Sequence, residues 1–335
     1  MIILIVLLLI ALLVGAAWYS KRYRAQSTST PLVTTSVQQE LATRLEAHVQ
    51  MLADQIGERN MWHPERLEQA ARYIEAQFTA AGCAVEGQVY TLQKHRVRNV
   101  VVEIKGQERP EEIVVIGAHY DSVVGSPGAN DNATGVAALL ELARLLSGER
   151  PKRTLRLVAF VNEEPPFFKT SAMGSRVYAR QAKERGDKIV AMVSLETIGY
   201  YSEEEDSQMF PFPLLSFFYP TRGNFIAFVA NFGSRALLQQ SLKAFRTSSS
   251  FPAEGLVAPK WLTGVDWSDH WSFWRSGYPA IMITDTALFR YRHYHSPEDT
   301  PEQVNYEALA RVTAGLLGMT GKLANFPSTP LTEKP

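Results

Sequence analysis

The sequence predicts an α/β fold in three layers, α/β/α, with a mostly parallel central sheet flanked by helices. Three observations predict it. Short β-branched apolar runs at Ile113–Ile116, Thr154–Val161 and Ile189–Leu195 have the length and composition of buried strands. Each run leads into acidic or imidazole side chains, a loop and a helical pattern, so strand and helix alternate as in a doubly wound sheet. Those polar residues stand just past the carboxyl ends of the strands, where open α/β sheets collect ligands and metals.

The elements follow in order. Met1 to Tyr19 carry no charged side chain and are nearly all Ile, Leu, Val and Ala, long enough to cross a bilayer, for which ~20 apolar residues suffice. The stretch lacks a basic n-region, so residues 1–20 read as a transmembrane anchor or uncleaved signal. Lys21, Arg22 and Arg24 follow it, and by the positive-inside rule they favour a cytoplasmic remainder. Residues 21–35, rich in Ser and Thr with Pro31, form a linker; residues 36–326 form the domain, and 327–335 a tail. A helix starts at Ser36, with Leu41, Leu45, Val49 and Leu52 on one face, and ends near Gly57. A second runs from Pro64 to Ala81 and stops at Gly82. Ala84–Leu92 and Asn99–Ile104 read as strands before the core strand at Ile113, and Val136–Leu146 as the helix after it. Further on come helix Ala172–Glu184, strand Phe225–Val229, helix Ser234–Phe245, a helical Trp267–Trp274, strand Ala280–Thr284 and a closing helix Tyr306–Leu323. The apolar Phe210–Tyr219 is either a pocket wall or packing, and Glu203–Asp206 is a solvated turn.

Composition bounds the function. At 335 residues and 46% hydrophobic, the chain can bury a full core. Lys+Arg and Asp+Glu balance at 34 each, without the basic surplus of a nucleic-acid binder. The single cysteine, Cys83, excludes an intrachain disulfide and reads as a small buried residue.

The chemistry gathers at strand ends: His119, Asp131, Glu163, Glu164, Glu196 and His295. A mixture of imidazole and carboxylate suits Zn²⁺. Two histidines and three carboxylates exceed what one tetrahedral zinc needs, so two ions are implied if one carboxylate bridges. Asp121, two residues beyond His119, can accept the other imidazole proton and fix the tautomer. The pair Glu163-Glu164 suggests that one carboxylate binds metal while its neighbour takes a proton from water. In Ser268-Asp269-His270, Asp269 is read as a helix cap and His270 as a pocket wall or second layer behind the ligands. Trp261, Trp267, Trp271 and Trp274 are read as core and pocket lining, and His48, His63 and His95 as surface or packing residues.

Taken together, Gly117-Ala-His119-Tyr-Asp121-Ser, Gly128-Ala-Asn-Asp131-Asn-Ala-Thr-Gly135, Asn162-Glu163-Glu164, Ser194-Leu-Glu196-Thr-Ile-Gly199, Ser268-Asp-His270 and Tyr294-His295-Ser-Pro-Glu-Asp299-Thr300 resemble the M28 family of metallopeptidases over about residues 60 to 325. The resemblance implies a zinc-exopeptidase-like (phosphorylase/hydrolase-like) fold and two zinc ions that share Asp131. It places His119 and Glu196 on the first ion, Glu164 and His295 on the second, Glu163 as general base and Tyr294 as a stabiliser of the oxyanion. It also implies a cis peptide after Asp131. At the position of Glu196 the family more commonly has aspartate, so this carboxylate reaches one methylene further.

The expected function is a membrane-tethered, zinc-dependent exopeptidase, an aminopeptidase acting on peptide substrates. The alternatives are a glutaminyl-peptide cyclase or carboxypeptidase on the same scaffold, or a catalytically silent receptor-like homologue. Cyclases typically keep one zinc and silent homologues lose ligands, whereas five ligand positions and Glu163 are present here. The resemblance is to proteins that act largely outside the cytoplasm. Against the flanking charges, it favours a catalytic domain facing the periplasm or exterior.

Overall fold

The structure, a computed structural model, describes residues 36–326. The apolar segment 1–20, the linker 21–35 and the tail 327–335 lie outside the described residues. Among the described residues, no helix is long and apolar enough to cross a membrane.

Helix α1 (Ser36–Gln50) runs on through a π-helical turn, Met51–Ile56, and α2 (Pro64–Ala80) precedes the hairpin β1 (Val85–Leu92) and β2 (His95–Ile104). Then come β3 (Arg109–His119), α3 (Thr134–Leu146), β4 (Arg153–Phe160), α4 (Gly174–Arg185) and β5 (Lys188–Glu196). The last third holds β6 (Ile226–Ala230), α5 (Arg235–Ser248), β7 (Ala253–Val257), α6 (His270–Arg275), β8 (Ala280–Thr284) and α7 (Tyr306–Ala324). Among the described residues the strands form one sheet in the order β1-β2-β4-β3-β5-β8-β6-β7. Its centre, β4-β3-β5-β8, is parallel throughout. The antiparallel pairs are β1 with β2, β2 with β4 and β6 with β8.

Alternation along the strands divides the core. Val114 and Ile116 of β3 face one way, into a large cluster with α1, α2, α3, α5 and α7; Ile113 and Val115 face the other, towards α4 and α6. Both faces are covered, which is why these strands read as unbroken apolar runs. Burying one such isoleucine contributes about 1.5–3 kcal/mol. Gly117 lies where a Cβ would stand 2.3 Å from the Phe160 ring, so glycine there leaves room for that ring to lie over β3. Helix α7 is capped by Asn305, whose Oδ1 accepts the Ala308 N–H at 3.0 Å.

Two expectations need correction, and one strand was not expected. Strand β2 begins at His95 rather than Asn99, because pairing with β1 extends it through Arg96 to Arg98, whose polar side chains hide the alternation. Strand β7 was not anticipated: its sequence, Ala-Glu-Gly-Leu-Val, is poor in strand formers, and pairing with β6 at the sheet edge determines it. Trp267 to Asp269 are not in helix α6, which begins at His270.

Candidate metal centre

Four neighbouring strand ends build the site. His119 closes β3 in register with Phe160 at the end of β4, so Glu163 and Glu164 emerge beside it. Glu196 closes β5 opposite Thr284 of β8, and the loop after β8 brings Tyr294 and His295 back over the edge. Asp131 comes from the turn Ala129–Ala133 that leads into α3, where the Asp131–Asn132 peptide is cis, as the resemblance implied.

The six expected side chains converge. His119 Nε2 lies 3.2 Å from Asp131 Oδ1 and 3.4 Å from Glu196 Oε2. His295 Nε2 lies 3.1 Å from Asp131 Oδ2 and 3.3 Å from Glu164 Oε2. The two oxygens of Asp131 thus face two different imidazoles. Glu163, His119 and Glu164 each offer an atom within 4.8 Å of the others. Tyr294 stacks on the His295 ring at 3.9 Å.

The surrounding polar groups hold this arrangement rather than joining it. Asp299 accepts the Asn130 N–H at 2.8 Å and the Asp131 N–H at 3.1 Å, fixing the turn that carries the central carboxylate. Asn132 donates to the Leu195 carbonyl and accepts the Thr197 N–H, linking that turn to the end of β5. Asn130 joins Gly199 and Asp285 in the same way. Asp121 accepts the backbone N–H of Glu163 at 3.0 Å and of Glu164 at 3.1 Å, so its carboxylate positions that pair. The His119 Nδ1–H instead donates to the Asp121 backbone carbonyl at 3.1 Å; the Asp121 carboxylate, at 3.6 Å, is too far for a hydrogen bond. Ser268 donates to Glu196 Oε2 at 2.7 Å and orients its longer side chain.

Charge is unbalanced here. Asp131, Glu163, Glu164 and Glu196 are all buried around the two histidines. Burial works against charge on both imidazoles, yet the carboxylates outweigh it: Glu196, Asp121 and Asp131 hold His119 well above the usual range, and Asp131 and Glu164 lift His295 to about 10. Burial, with Asp131 beside it, pushes Glu164 up to about 7; burial also raises Glu163 well above the ordinary carboxylate range. Burial pushes the Tyr294 hydroxyl far up as well, so it stays a donor. Despite their closeness, His119 Nε2, both oxygens of Asp131 and Oε1 of Glu164 are buried without a hydrogen-bond partner. Lone-pair donors that converge without bonding one another, in a site short of positive charge, fit divalent cations, and the imidazole–carboxylate mixture fits zinc.

Known proteins agree. The model of peptidase family M28 matches residues 99–320. The chain belongs to peptidase family M28. It is 39% identical over 282 residues to the uncharacterized protein YfbL of Escherichia coli K12, covering 82% of this chain and 86% of that one. To a probable zinc metalloprotease of Leptosphaeria maculans it is 29% identical over 266 residues, covering 70% of this chain but 59% of that longer protein. In fold it is similar to a zinc aminopeptidase from Bacillus subtilis, with a TM-score of 0.69 at 15% identity over 88% of this chain and 96% of that one. It is similar also to the glutaminyl cyclase of Bacteroides thetaiotaomicron, with a TM-score of 0.62 at 18% identity over 83% and 96% of the two chains. At such identities the likeness is one of fold.

In this M28 domain the Ser268-Asp-His270 segment differs from expectation. Asp269 occupies the position before α6 without capping it; its carboxylate is wholly buried, and burial pushes it up to about 7. His270 is also wholly buried, donates to the Val265 carbonyl at 2.8 Å and meets Trp274 edge-on, so it braces the loop behind the pocket rather than lining it. Burial holds its ring near 4, and so neutral. Cys83 is half-buried, not fully buried as expected. His48 packs between Tyr73 and Glu141.

Beside the metal edge opens a pocket that has Glu196 and Tyr294 among its lining residues. Phe210, Leu215 and Tyr219 wall it from the apolar loop, and Val229, Trp267 and Met282 close it from the sheet side. Trp261 is 81% exposed and belongs neither to the core nor to this lining. The sequence reading missed Asp285, Asn130, Asn132 and Arg59. The two asparagines lay within a quoted motif and signalled a tight turn; Asp285 follows the last apolar strand, and Arg59 had no signal at all.

Proposed function

We propose that this chain is a zinc-dependent aminopeptidase whose two ions share Asp131. One observation carries the reading: the two carboxylate oxygens of Asp131 face different histidines, at 3.2 and 3.1 Å. His119 and Glu196 complete one ion's protein ligands, and Glu164 and His295 the other's. Zinc bound there supplies an acidified water and polarises the scissile carbonyl. Glu163 takes a proton from the attacking water as the C–O bond forms and then delivers it to the amine nitrogen, which leaves as the C–N bond breaks. Tyr294, held as a donor and stacked on His295, hydrogen-bonds the carbonyl oxygen as negative charge develops there.

The pocket supports amino-terminal trimming of peptides with an apolar first residue. Its walls are aromatic and aliphatic, and among the described residues lining it none is Lys or Arg, the side chains that would hold a terminal carboxylate. That favours an aminopeptidase over a carboxypeptidase. A panel of aminoacyl-arylamides, run with zinc and with a chelator, tests the reading. Chelator-sensitive release from apolar substrates is expected. Cyclisation of amino-terminal glutamine with no arylamide release would favour the cyclase alternative, and no turnover of either kind would favour a silent homologue.

The apolar residues Met1 to Tyr19 support a tether to the membrane. Membership of a family whose members act largely outside the cytoplasm supports a domain facing the periplasm or exterior, against the charges of Lys21, Arg22 and Arg24. A carboxyl-terminal alkaline phosphatase fusion should be active in cells; an inactive fusion beside a fluorescent cytoplasmic one would reverse the sidedness.

A further inference from the structure

Among the described residues, Arg59 is one of the large side chains that are fully buried, and it lies near Asp121, Asp131 and Glu164. Its partners are main-chain carbonyls drawn from three segments. Nε donates to Tyr120 at 2.6 Å, Nη1 to Pro127 at 2.5 Å and to Leu52 and Gly57 at 3.2 and 3.3 Å, and Nη2 to Gly128 at 2.8 Å. Its backbone is latched as well: the Arg59 N–H donates to Ser122 Oγ at 3.1 Å, and the Ser122 N–H returns to the Arg59 carbonyl at 3.0 Å. Ser122 Oγ in turn donates to the Ser126 carbonyl at 2.9 Å.

Three of those carbonyls, of Tyr120, Pro127 and Gly128, lie within the segment from His119 to Asp131, and those of Leu52 and Gly57 tie it to the end of the first helix. Tyr120 sits between His119 and Asp121. The Gly128 carbonyl that accepts from Arg59 also accepts the Ala133 N–H at 3.2 Å, the bond that closes the turn carrying Asp131. Gly128 has φ +64°, and a Cβ there would stand 2.5 Å from the Asp131 carbonyl and 2.6 Å from Ser122 Cβ, so this corner has no slack. Asp121, Asp299, Asp131 and Glu164 are near enough to oppose the fall that burial imposes on the guanidinium, yet no carboxylate is among its hydrogen-bond partners. Its geometric task is therefore to hold loops rather than to neutralise an acid.

We infer that Arg59, latched to Ser122, is a positioning residue that sets the path from His119 to Asp131 so that both sets of ligands close on their ions. The inference rests on the metal-centre reading above. A planar fork reaches carbonyls on several segments at once, and the single ammonium of lysine does not. Groups that orient ligands in this way typically contribute about 10–100-fold to metal affinity.

The test is zinc affinity, measured on the full chain by competition with a chromogenic chelator, for wild type, Arg59→Lys and Ser122→Ala. Melting temperatures are taken with and without zinc. Arg59→Lys is expected to bind zinc about 10–100-fold more weakly, and Ser122→Ala several-fold more weakly, so that added zinc raises the melting temperature less in both variants. An arginine that serves only the fold would lower both melting temperatures equally and leave the zinc affinity unchanged, which would overturn the inference. If Arg59→Lys does not fold, unchanged affinity in folded Ser122→Ala overturns it in the same way. Wild type that binds no zinc would instead sink the metal-centre reading itself.

Discussion

The metal edge and the pocket beside it share Glu196 and Tyr294 but are built on opposite principles. At the edge, hydrogen bonds fix the backbone that carries the ligands: Asp299 holds the Asp131 turn, Asp121 holds the Glu163-Glu164 turn, and Asn132 ties the Asp131 turn to the end of β5. The pocket takes one wall from a loop whose turn, Pro213–Phe217, bonds within itself rather than to the metal edge, and that loop leaves Phe212, Leu214 and Phe217 exposed. Metal ligands must hold position to about 0.5 Å, whereas a pocket that selects by shape and apolar area tolerates more play. Precision therefore costs buried polar groups at one site, and adaptability leaves apolar surface at the other.

Substitutions can break or sharpen that contrast. Asp131→Ala should act hardest, because it removes the carboxylate common to both ligand sets: zinc retained after dialysis falls sharply and turnover drops to background. Full zinc content in that variant would place the ions elsewhere. Glu163→Gln should keep the zinc yet lower kcat by about 10²–10⁴, the usual contribution of a positioned general base; a kcat within a few-fold of wild type would remove it from proton transfer. Phe210→Ala belongs to the other region. It should reduce kcat/KM for substrates with a large apolar first residue by about 10-fold while leaving alanine substrates and zinc affinity unchanged. Equal losses on all substrates would show that the pocket is not selective. Asn305→Ala lies outside both regions, and loss of its cap should cost about 1 kcal/mol in thermal unfolding with no change in kcat.

The same contrast explains what the sequence disclosed. Ligands follow strand ends, and buried parallel strands are apolar runs, so His119, Glu164 and Glu196 could be read directly from where those runs stop. Central strands were legible for the same reason. The pocket could be placed only as a region, because loops that select by area carry no spacing rule. Edge strand β7 escaped because pairing with β6, not propensity, makes it a strand. Arg59 escaped for a deeper reason: its partners are main-chain carbonyls up to 69 residues away, and a carbonyl leaves no letter in the sequence. Asp269 was misjudged because a short polar residue before a helix usually caps it, whereas here its carboxylate is buried near Glu196 and His119.

The claim beneath all of this is that Asp131 lies between two ions. Anomalous diffraction from crystals of the zinc-loaded protein addresses it directly. Two zinc peaks about 3.5–4 Å apart, one on each side of the Asp131 carboxylate, are the expected result. A single peak, or a pair that Asp131 does not touch, would contradict the account.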